Sequence, residues 1–454
     1  MRLNPFVSRF LWTPLVASAL FVAGLAAAQP APVPPAAPGE PPRDESVLGE
    51  FVVTGTQQEK LPRIAVLPSL SPDLEDVIVR GVVRRDFELT GLFDVIADTK
   101  APPGLYGFDD PIDLKAWQAL GAEAIVKVAA RADAAPDKIQ VLGIAYFLNV
   151  GKEPVYEKKL VVPRADARVT GHRITDALLG ALTGRPGSFA SELVFSARWS
   201  KARRIFRMDS DGNALAPLTD SNDHAIAPTW GPGHSIYYLL SRNYTPYSLF
   251  ALRGGTHKPV ALPFNTSLYG VAFDKAATRL ALAVSASGRS AIYAGAPDGS
   301  GMQRISNTEL ATHPTFSPSG KLAWVGGDPR QGSQRIYVDG KVVSPQGFTA
   351  ASPAFCDTEE GVRLVYSVAV GGNRQDLVMA NEDGRGVARL TQGQGSNTSP
   401  ACSPDGRLLA FFSTRDNKPG VYLMSLKRFK TQPISTQMGE ALRWAALPPV
   451  ANAP

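Results

Sequence analysis

The sequence has few cysteines, few histidines and no long apolar run beyond its first residues. Cys356 and Cys402 are the only cysteines among 454 residues, which excludes a framework of several disulfides. The formal net charge of +6 is spread over the whole chain, which is too dilute for a nucleic-acid-binding surface. No later stretch is apolar and long enough to cross a bilayer, so we expect the mature protein not to span a membrane.

Motifs that carry chemistry are also scarce. A Gly-x-Ser-x-Gly elbow is missing, which argues against an attached serine hydrolase domain. Asp209-Ser-Asp-Gly212 resembles the start of a calcium loop but lacks the later acidic ligand, so we interpret it as a turn. Too few further ligands accompany His224 and His313 to predict a metal site. The sequence therefore predicts no catalytic residue, no cofactor and no metal.

The N-terminus has the pattern of an export signal. Arg2 and Arg9 precede an apolar run over residues 10–25, which closes on three alanines. We predict a signal peptide over residues 1–28 with cleavage after Ala28, and hence a periplasmic protein; an uncleaved membrane anchor is the alternative. Residues 29–49 are rich in proline and alanine and predict an extended linker.

Residues 50–187 mix two periodicities and predict a small α/β domain. We expect Leu74, Val77, Ile78 and Val82 to share one face of a helix that begins at Ser71-Pro72, and Trp117 to belong to the core. The expected strands are Phe51–Gly55, Arg63–Pro68, Leu92–Ile96, Ala122–Ala130, Ile139–Phe147 and Val155–Val162, and the other helices are Asp113–Gly121 and Arg168–Thr183.

The rest of the chain repeats in two registers. In the first, a large apolar residue follows a short polar loop, often with proline two places before it; these residues are Trp230, Phe273, Phe316, Phe355, Cys402 and Trp444, at spacings of 43, 43, 39, 47 and 42. In the second, a tight turn recurs at Gly212, Gly255, Gly299, Gly340, Gly384 and Arg428, at spacings of 43, 44, 41, 44 and 44. Both registers indicate six units of about 43 residues.

Several short alternating strands in each unit are typical of propeller blades, so residues 188–448 predict an all-β six-bladed β-propeller, followed by a tail over 449–454. The two registers are offset, which predicts that a C-terminal strand near 441–447 pairs with Glu192–Arg198. Cys356 and Cys402 lie in adjacent units but differ in register by one residue. We expect buried free thiols there, and a disulfide is the alternative.

Two segments are more specific than generic propeller features: AWQALGAEAIV (Ala116–Val126) and LTGRPGSF (Leu182–Phe189). Together with the signal peptide and the DSDG and SPDG turns, they resemble the TolB family, the periplasmic component of the Tol–Pal system. The resemblance runs from about Glu50 to Trp444.

The resemblance implies a non-enzymatic adaptor that supports outer-membrane integrity and cell division. TolB-like proteins bind the lipoprotein Pal at the mouth of the propeller channel and bind TolA through their N-terminal segment. The implied mouth residues here are His224, Ala227, Tyr269, Thr312, His313, Asn397, Thr398, Ser399 and Glu440. The implied N-terminal segment contains Glu50, Phe51, Val52 and Val53.

Two alternative functions would place their site in the same channel. The first is a hydrolase or lyase acting on envelope peptides or glycans, which would need paired acids; Glu309 and Glu440 lie near two mouth loops. The second is a module that binds a small glycan or peptide without turnover, for which only Tyr269 supplies an aromatic residue at the mouth.

Overall fold

The computed structural model describes residues 44–49, 60–68, 73–104, 106–328 and 332–449. These residues are mostly β-strands, preceded by a smaller part of mixed helices and strands. In the described ranges no helix is both long and apolar enough to cross a membrane. The predicted signal peptide, the predicted strand at 51–55 and the predicted helix start at Ser71-Pro72 fall outside them.

The mixed part is built on a five-stranded sheet with the order β2-β1-β3-β4-β5, in which β1 pairs in parallel with β2 and β3 and the other pairs are antiparallel. Its strands are β1 (Arg63–Val66), β2 (Asp94–Val95), β3 (Ala124–Ala132), β4 (Lys138–Phe147) and β5 (Tyr156–Pro163). Its helices are α1 (Leu74–Thr90), α2 (Leu114–Ala119) and α3 (Ala167–Thr183). The predicted α/β character and the predicted core position of Trp117, which is 2% exposed, are confirmed.

The predicted apolar face of α1 is wrong for two of its four residues, because Leu74 and Val77 are exposed. The buried face carries polar residues whose partners lie inside the protein. Asp76 accepts a hydrogen bond from the Ala130 amide at 2.7 Å, and the Arg80 side chain donates to the Leu67 carbonyl at 2.8 Å. A prediction from apolar periodicity misses such a face, since it counts every polar residue as exposed.

The remaining strands form six groups of four, paired antiparallel within each group. A single parallel bridge between Arg203 and His224 joins the first two groups into one eight-stranded sheet. The first group contains β6 (Ser191–Trp199), β7 (Ala202–Asp209), β8 (Ala216–Pro217) and the C-terminal β29 (Glu440–Ala446). The second contains β9 (His224–Gly231), β10 (Ser235–Ser241), β11 (Ser248–Arg253) and β12 (Thr256–Pro259). The third contains β13 (Leu268–Phe273), β14 (Leu280–Ala286), β15 (Arg289–Gly295) and β16 (Gln303–Arg304).

The last three groups repeat this pattern. The fourth contains β17 (Leu310–Phe316), β18 (Leu322–Gly327), β19 (Gln334–Val338) and β20 (Lys341–Val342). The fifth contains β21 (Ala350–Thr358), β22 (Gly361–Val370), β23 (Arg374–Asn381) and β24 (Ala388–Arg389). The sixth contains β25 (Asn397–Cys402), β26 (Leu408–Ser413), β27 (Gly420–Ser425) and β28 (Thr431–Ser435).

One strand from each group contacts its counterparts in the two neighbouring groups. These six inner strands are β9, β13, β17, β21, β25 and β29, and β29 contacts both β25 and β9. The predicted pairing of the C-terminal strand with the strand near residue 192 is confirmed, since β29 pairs with β6. The Trp444 indole also donates a hydrogen bond to the Ser191 hydroxyl at 2.7 Å. The two ends of the β part are therefore held together in one group of strands.

The α/β part and the β part share one apolar core. This cluster includes Phe87 of α1 and Leu178 of α3, and it continues into Phe195 of β6 and Phe412 of β26. The junction between α3 and β6 is held by Asp176, whose two carboxylate oxygens accept hydrogen bonds from the Phe189 and Ala190 amides at 2.6 and 2.9 Å. The two parts are thus packed together and not merely connected by a linker.

A buried ionic cluster lies in the same interface. His172 of α3 contacts Asp86 of α1 through Nδ1 at 2.8 Å, and its Nε2 lies 3.9 Å from Asp209 at the end of β7. Arg168 donates to Asp209 at 2.9 Å and to Asp211 at 2.7 Å. Burial alone would lower the pKa of His172, but the surrounding carboxylates outweigh burial and raise this pKa to about 10. The imidazole is therefore charged at neutral pH.

The end of the predicted linker is ordered against the β part. Residues Glu45–Leu48 form a short 3-10 helix, and Leu48 is fully buried in the core between the fourth and fifth groups. Glu45 contacts Arg389 at 2.8 Å. Gly49 adopts a φ of 74°, and a Cβ there would lie 2.1 Å from the Val387 carbonyl oxygen, so only glycine fits.

The expectation of free thiols is wrong, because Cys356 and Cys402 form a disulfide with a Cα–Cα distance of 5.3 Å. Cys356 lies on β21 and Cys402 on β25, which are inner strands of neighbouring groups. The one-residue difference in register points the two side chains to opposite faces of their own sheets. Those two faces meet where the fifth group packs against the sixth, so the offset brings the sulfurs together.

Replacing Leu48 by alanine tests the contact of the 44–49 segment. We expect the free energy of unfolding to fall by about 2–5 kcal/mol, because the change leaves a cavity in a packed core. Val47→Ala is the matched control, since the Val47 side chain is 48% exposed and should change stability by no more than about 0.5 kcal/mol. Urea unfolding followed by circular dichroism measures both, and equal effects would contradict the described contact.

Cys356→Ser/Cys402→Ser should lower the free energy of unfolding by about 2–4 kcal/mol, since the bond closes a long loop in the unfolded chain. The residues are 46 apart in sequence. Mass spectrometry after alkylation without reductant should find no modified thiol in the wild-type chain. Two alkylated cysteines in the oxidised, folded protein would contradict the assignment.

The charged His172 predicts a specific pH dependence. The folded-state pKa of about 10 exceeds the ordinary value of 6.5, so the stabilisation is fully present below pH 6.5 and is lost as the pH rises towards 10. The free energy of unfolding should therefore fall by up to about 1.4 kcal/mol per pH unit in this window. His172→Gln should remove that slope. Parallel curves for the two proteins in urea titrations between pH 6.5 and 10 would refute this role.

Candidate functional site

The inner strands carry the same irregularity at one position. In five of them two residues lie opposite a single residue of the neighbouring strand, which is a β-bulge. The first residue of each bulge adopts the left-handed conformation, with φ between 50° and 54°; these bulge residues are Ala227, His313, Ser352, Ser399 and Ala441. The inner strand of the third group is irregular at Tyr269 instead.

Proline explains four of the five bulges. Pro228, Pro314, Pro353 and Pro400 each follow a bulge residue directly and lie two places before the large apolar residue of the repeat. Proline cannot donate a hydrogen bond to a strand partner, so the ladder is interrupted where it occurs. The prolines that mark the repeat in the sequence therefore also fix the position of the bulges.

Left-handed backbone at a residue other than glycine costs of order 1–3 kcal/mol and persists only where the surrounding structure holds it. Packing provides that support here. Ser399 is 6% exposed, and its hydroxyl accepts a hydrogen bond from the Ala441 amide of the neighbouring inner strand at 3.3 Å. The bulges are thus held in a fixed conformation at the starts of the inner strands.

Most of the predicted partner-binding residues lie around these bulges, at the starting ends of the inner strands. His224 begins β9, and Ala227 is its bulge residue. Tyr269 on β13 is 43% exposed. Thr312 lies beside His313 on β17, with its hydroxyl 3.0 Å from the His313 Nδ1.

The sixth and first groups supply the remaining predicted residues. Thr398 and Ser399 lie on β25, and Glu440 begins β29. Asn397 differs from the others because its side chain is fully buried; its Oδ1 accepts a hydrogen bond from the Ser413 hydroxyl at 2.8 Å. Asn397 therefore orders the start of β25.

The predicted N-terminal segment, Glu50, Phe51, Val52 and Val53, lies outside the described residues.

Sequence reasoning missed Ser352, although the repeat gives its position. Ser352 lies three places before Phe355, as His313 lies three places before Phe316. It also missed the arginines that pair with the two acids near the mouth. Glu440 contacts Arg203, and Glu309 lies 3.3 Å from Arg289.

Those ion pairs bear on the enzymatic alternative. General acid–base chemistry by two carboxylates needs them on either side of one substrate. Glu309 and Glu440 are each paired with a different arginine, and no hydrogen bond or ion pair in the described residues links the two acids. The geometry does not favour a catalytic pair.

The opposite ends of the inner strands surround a cavity of about 600 Å³. All six large apolar residues of the first repeat register line it: Trp230, Phe273, Phe316, Phe355, Cys402 and Trp444. None of the predicted partner-binding residues does. The predicted residues and the cavity thus belong to different ends of the same six strands.

A group of possible metal ligands occurs away from both ends. Asp86, His172 and Asp211 each offer a ligand atom within 4.8 Å of the others. Arg168 already donates to Asp211, and His172 is charged beside Asp86. An imidazolium has no lone pair for a metal, so the cluster is an ionic contact between the two parts of the protein.

Comparison with known proteins finds one family model and several curated relatives that match parts of this chain. Residues 50–142 match the family model of the TolB amino-terminal domain. The Tol-Pal system protein TolB of Anaeromyxobacter dehalogenans (strain 2CP-C) is 29% identical over 243 residues, which cover 52% of this chain and 54% of that protein. The protein of the same name from Dinoroseobacter shibae is 28% identical over 227 residues, covering 49% of this chain and 48% of that protein. The chain thus spans about half the length of the curated relatives it matches.

A solved structure supports the fold over a longer range. The crystal structure of TolB from Acinetobacter baumannii superposes with a TM-score of 0.71 at 22% identity, and covers 85% of this chain and 97% of that chain. At this identity the likeness concerns the fold alone. Together, the family model over residues 50–142, the curated relatives and the sequence motifs support the TolB family for this chain.

Proposed function

We propose that this protein is a periplasmic, non-enzymatic adaptor of the Tol–Pal system, and that it binds a Pal-like lipoprotein at the starting ends of its inner strands. The names of the relatives above refer to the Tol–Pal system and mention no enzymatic activity. The observation that carries the proposal is the set of five left-handed bulge residues at equivalent positions. Such strain is typical of surfaces that are held ready for a ligand.

The proposal treats the six groups of strands as the blades of a six-bladed β-propeller. Its support is the contact of each inner strand with the next, including β29 with β9. The proposed domains are a signal peptide over 1–28, a linker over 29–49, an α/β domain over 50–187, a propeller over 188–448 and a tail over 449–454. The propeller channel would then open at the bulges, and His224, Ala227, Tyr269, Thr312, His313, Thr398, Ser399 and Glu440 would surround its mouth, with the buried Asn397 supporting them.

The lowered pKa of His313 predicts that partner binding through this residue does not depend on pH near neutrality. The His313 side chain is exposed to solvent, although many protein atoms lie near it. Burial, with a smaller effect of the Arg443 charge, lowers the pKa of His313 to about 4. The ring is therefore neutral between pH 5 and 8, and binding through it should not change over that range.

We also propose that the segment containing Glu50, Phe51, Val52 and Val53 binds TolA. The support is its position directly after Gly49, where the 44–49 segment is fixed against the β part. An anchored segment limits the space that the residues after it can reach.

The test is calorimetric titration of the mature chain with the periplasmic domain of Pal from the same organism. Tyr269→Ala should weaken binding at least tenfold, because an exposed tyrosine in the centre of an interface is often a hot spot. His313→Asn should also weaken binding, and asparagine tolerates the left-handed backbone that His313 requires.

Val342→Ala is the control, since Val342 is similarly exposed at 45% but lies on the outer strand β20. Its affinity should match that of the wild-type chain within twofold. A folded wild-type chain that fails to bind Pal would overturn the adaptor proposal. Equal weakening by Val342→Ala would place the interface elsewhere.

A further inference from the structure

The cavity at the far ends of the inner strands has a wall that repeats around the six groups. The residue immediately before each large apolar residue lines it, and five of these six residues are small; they are Thr229, Ala272, Thr315, Ala354, Ala401 and Arg443. Because these five side chains are small, they leave space for the cavity between the inner strands. The sixth position places a guanidinium there instead.

Arg443 has little to satisfy its charge. Within the described residues, its side chain forms one hydrogen bond, a donation to the Leu442 carbonyl at 3.0 Å, and no salt bridge. A guanidinium has five N–H donors, so most of its hydrogen-bonding capacity is unused. Burial lowers the pKa of Arg443 to about 10, which still leaves the side chain charged at neutral pH.

The other charged residues of the cavity are already paired. Asp274 accepts hydrogen bonds from the Thr278 and Arg279 amides at 2.7 and 2.9 Å, which close the turn after β13. Lys275 lies 3.6 Å from Asp357. Among the described residues of the cavity wall, Arg443 is thus the charged side chain that has neither an ion pair nor a side-chain hydrogen-bond partner.

That charge also acts across the ring of inner strands. Arg443 lies on β29 in the first group and contributes to the lowered pKa of His313 on β17, in the fourth group. With six groups in cyclic contact, these are opposite positions. The guanidinium is therefore close enough to His313 for its charge to act on the imidazole, and Arg443 also lines the cavity, where a ligand would meet it.

A partly buried charge without a partner is costly to a fold, and it is usually paired or serves a ligand. The planar fork of a guanidinium matches a carboxylate, which accepts two parallel hydrogen bonds from it. The cavity also offers aromatic walls, with Trp230, Phe273 and Trp444 among them. Its volume of about 600 Å³ is within the ~300–1,000 Å³ of pockets that hold small ligands.

We propose that this cavity is a second binding site, in which Arg443 holds the carboxylate of a ligand whose apolar or aromatic body packs against the surrounding aromatic side chains. The carboxylate belongs either to a small free acid or to the C-terminal residue of a peptide. The site does not depend on the adaptor proposal, because its evidence is the cavity lining and Arg443 and not the bulges.

Calorimetric titration of the mature chain with N-acetyl-L-phenylalanine and with N-acetyl-L-phenylalaninamide tests the proposal. The two probes share an aromatic body and differ in the carboxylate. The acid should bind at least tenfold more tightly than the amide. A parallel titration with the peptide Gly-Gly-Gly-Phe distinguishes the sources: tighter binding of the peptide indicates a chain terminus, and tighter binding of the small acid indicates a free ligand.

Arg443→Met should abolish the preference for the acid, because it removes the charge and keeps much of the side-chain length. Arg385→Met is the matched control, since the Arg385 side chain is 87% exposed and lies outside the cavity. Equal binding of acid and amide by the wild-type chain, or binding of none of the three probes, would overturn the proposal. So would an unchanged preference in Arg443→Met.

A stability measurement separates a ligand-binding role from a structural one. Without ligand, Arg443→Met should leave the melting temperature unchanged or raise it, because an unpaired charge is removed from a partly buried site. A lower melting temperature would show that Arg443 supports the fold itself and would count against a site kept for a ligand. The acid preference is read from Arg443→Met and the Pal affinity from the Tyr269 and His313 variants, so failure of one proposal does not imply failure of the other.

Discussion

The pairing of β29 with β6 is the contact on which the β part depends. It places the last strand of the chain beside the first strand of the repeats, so the first group is complete only when both ends of the β part meet. It also makes β29 an inner strand that contacts β9 on one side and β25 on the other. Without it, β9 and β25 would each lose a neighbour and expose an unpaired face. The bulge residue Ala441 and the cavity residue Arg443 both lie on this strand.

The α/β part packs against the first and sixth groups, whose inner strands β29 and β25 are in contact. Its helices share a core with the first and sixth groups, and the cluster around His172 links α1 and α3 to the turn after β7. The disulfide joins the fifth group to the sixth, and the 44–49 segment fills the space between the fourth and fifth. Four different kinds of contact therefore hold the parts of the protein together: strand pairing, ionic contact, a covalent bond and an inserted apolar side chain.

The two ends of the inner strands suit different tasks. At the starting ends, left-handed bulge residues hold the backbone in a fixed conformation, and there we propose that a protein partner binds. At the other ends, aromatic residues and one unpaired guanidinium surround a cavity of small-molecule size. In five of the six inner strands both features come from one four-residue stretch, which begins with the bulge residue and ends with the cavity residue and the large apolar residue.

The sequence by itself determined the repeat, its period, the partner of the C-terminal strand and the α/β character of the N-terminal part, because each leaves a periodic or punctuated pattern in local sequence. It also gave the positions of most bulges through their prolines, although their left-handed conformation follows from packing. Only the tertiary structure decided the polar face of α1, the disulfide, the ionic cluster at His172 and the lack of an ion pair for Arg443 among the described residues. Each of these depends on which residues distant in sequence come within a few ångströms of one another, and that proximity is set by how the sheets stack.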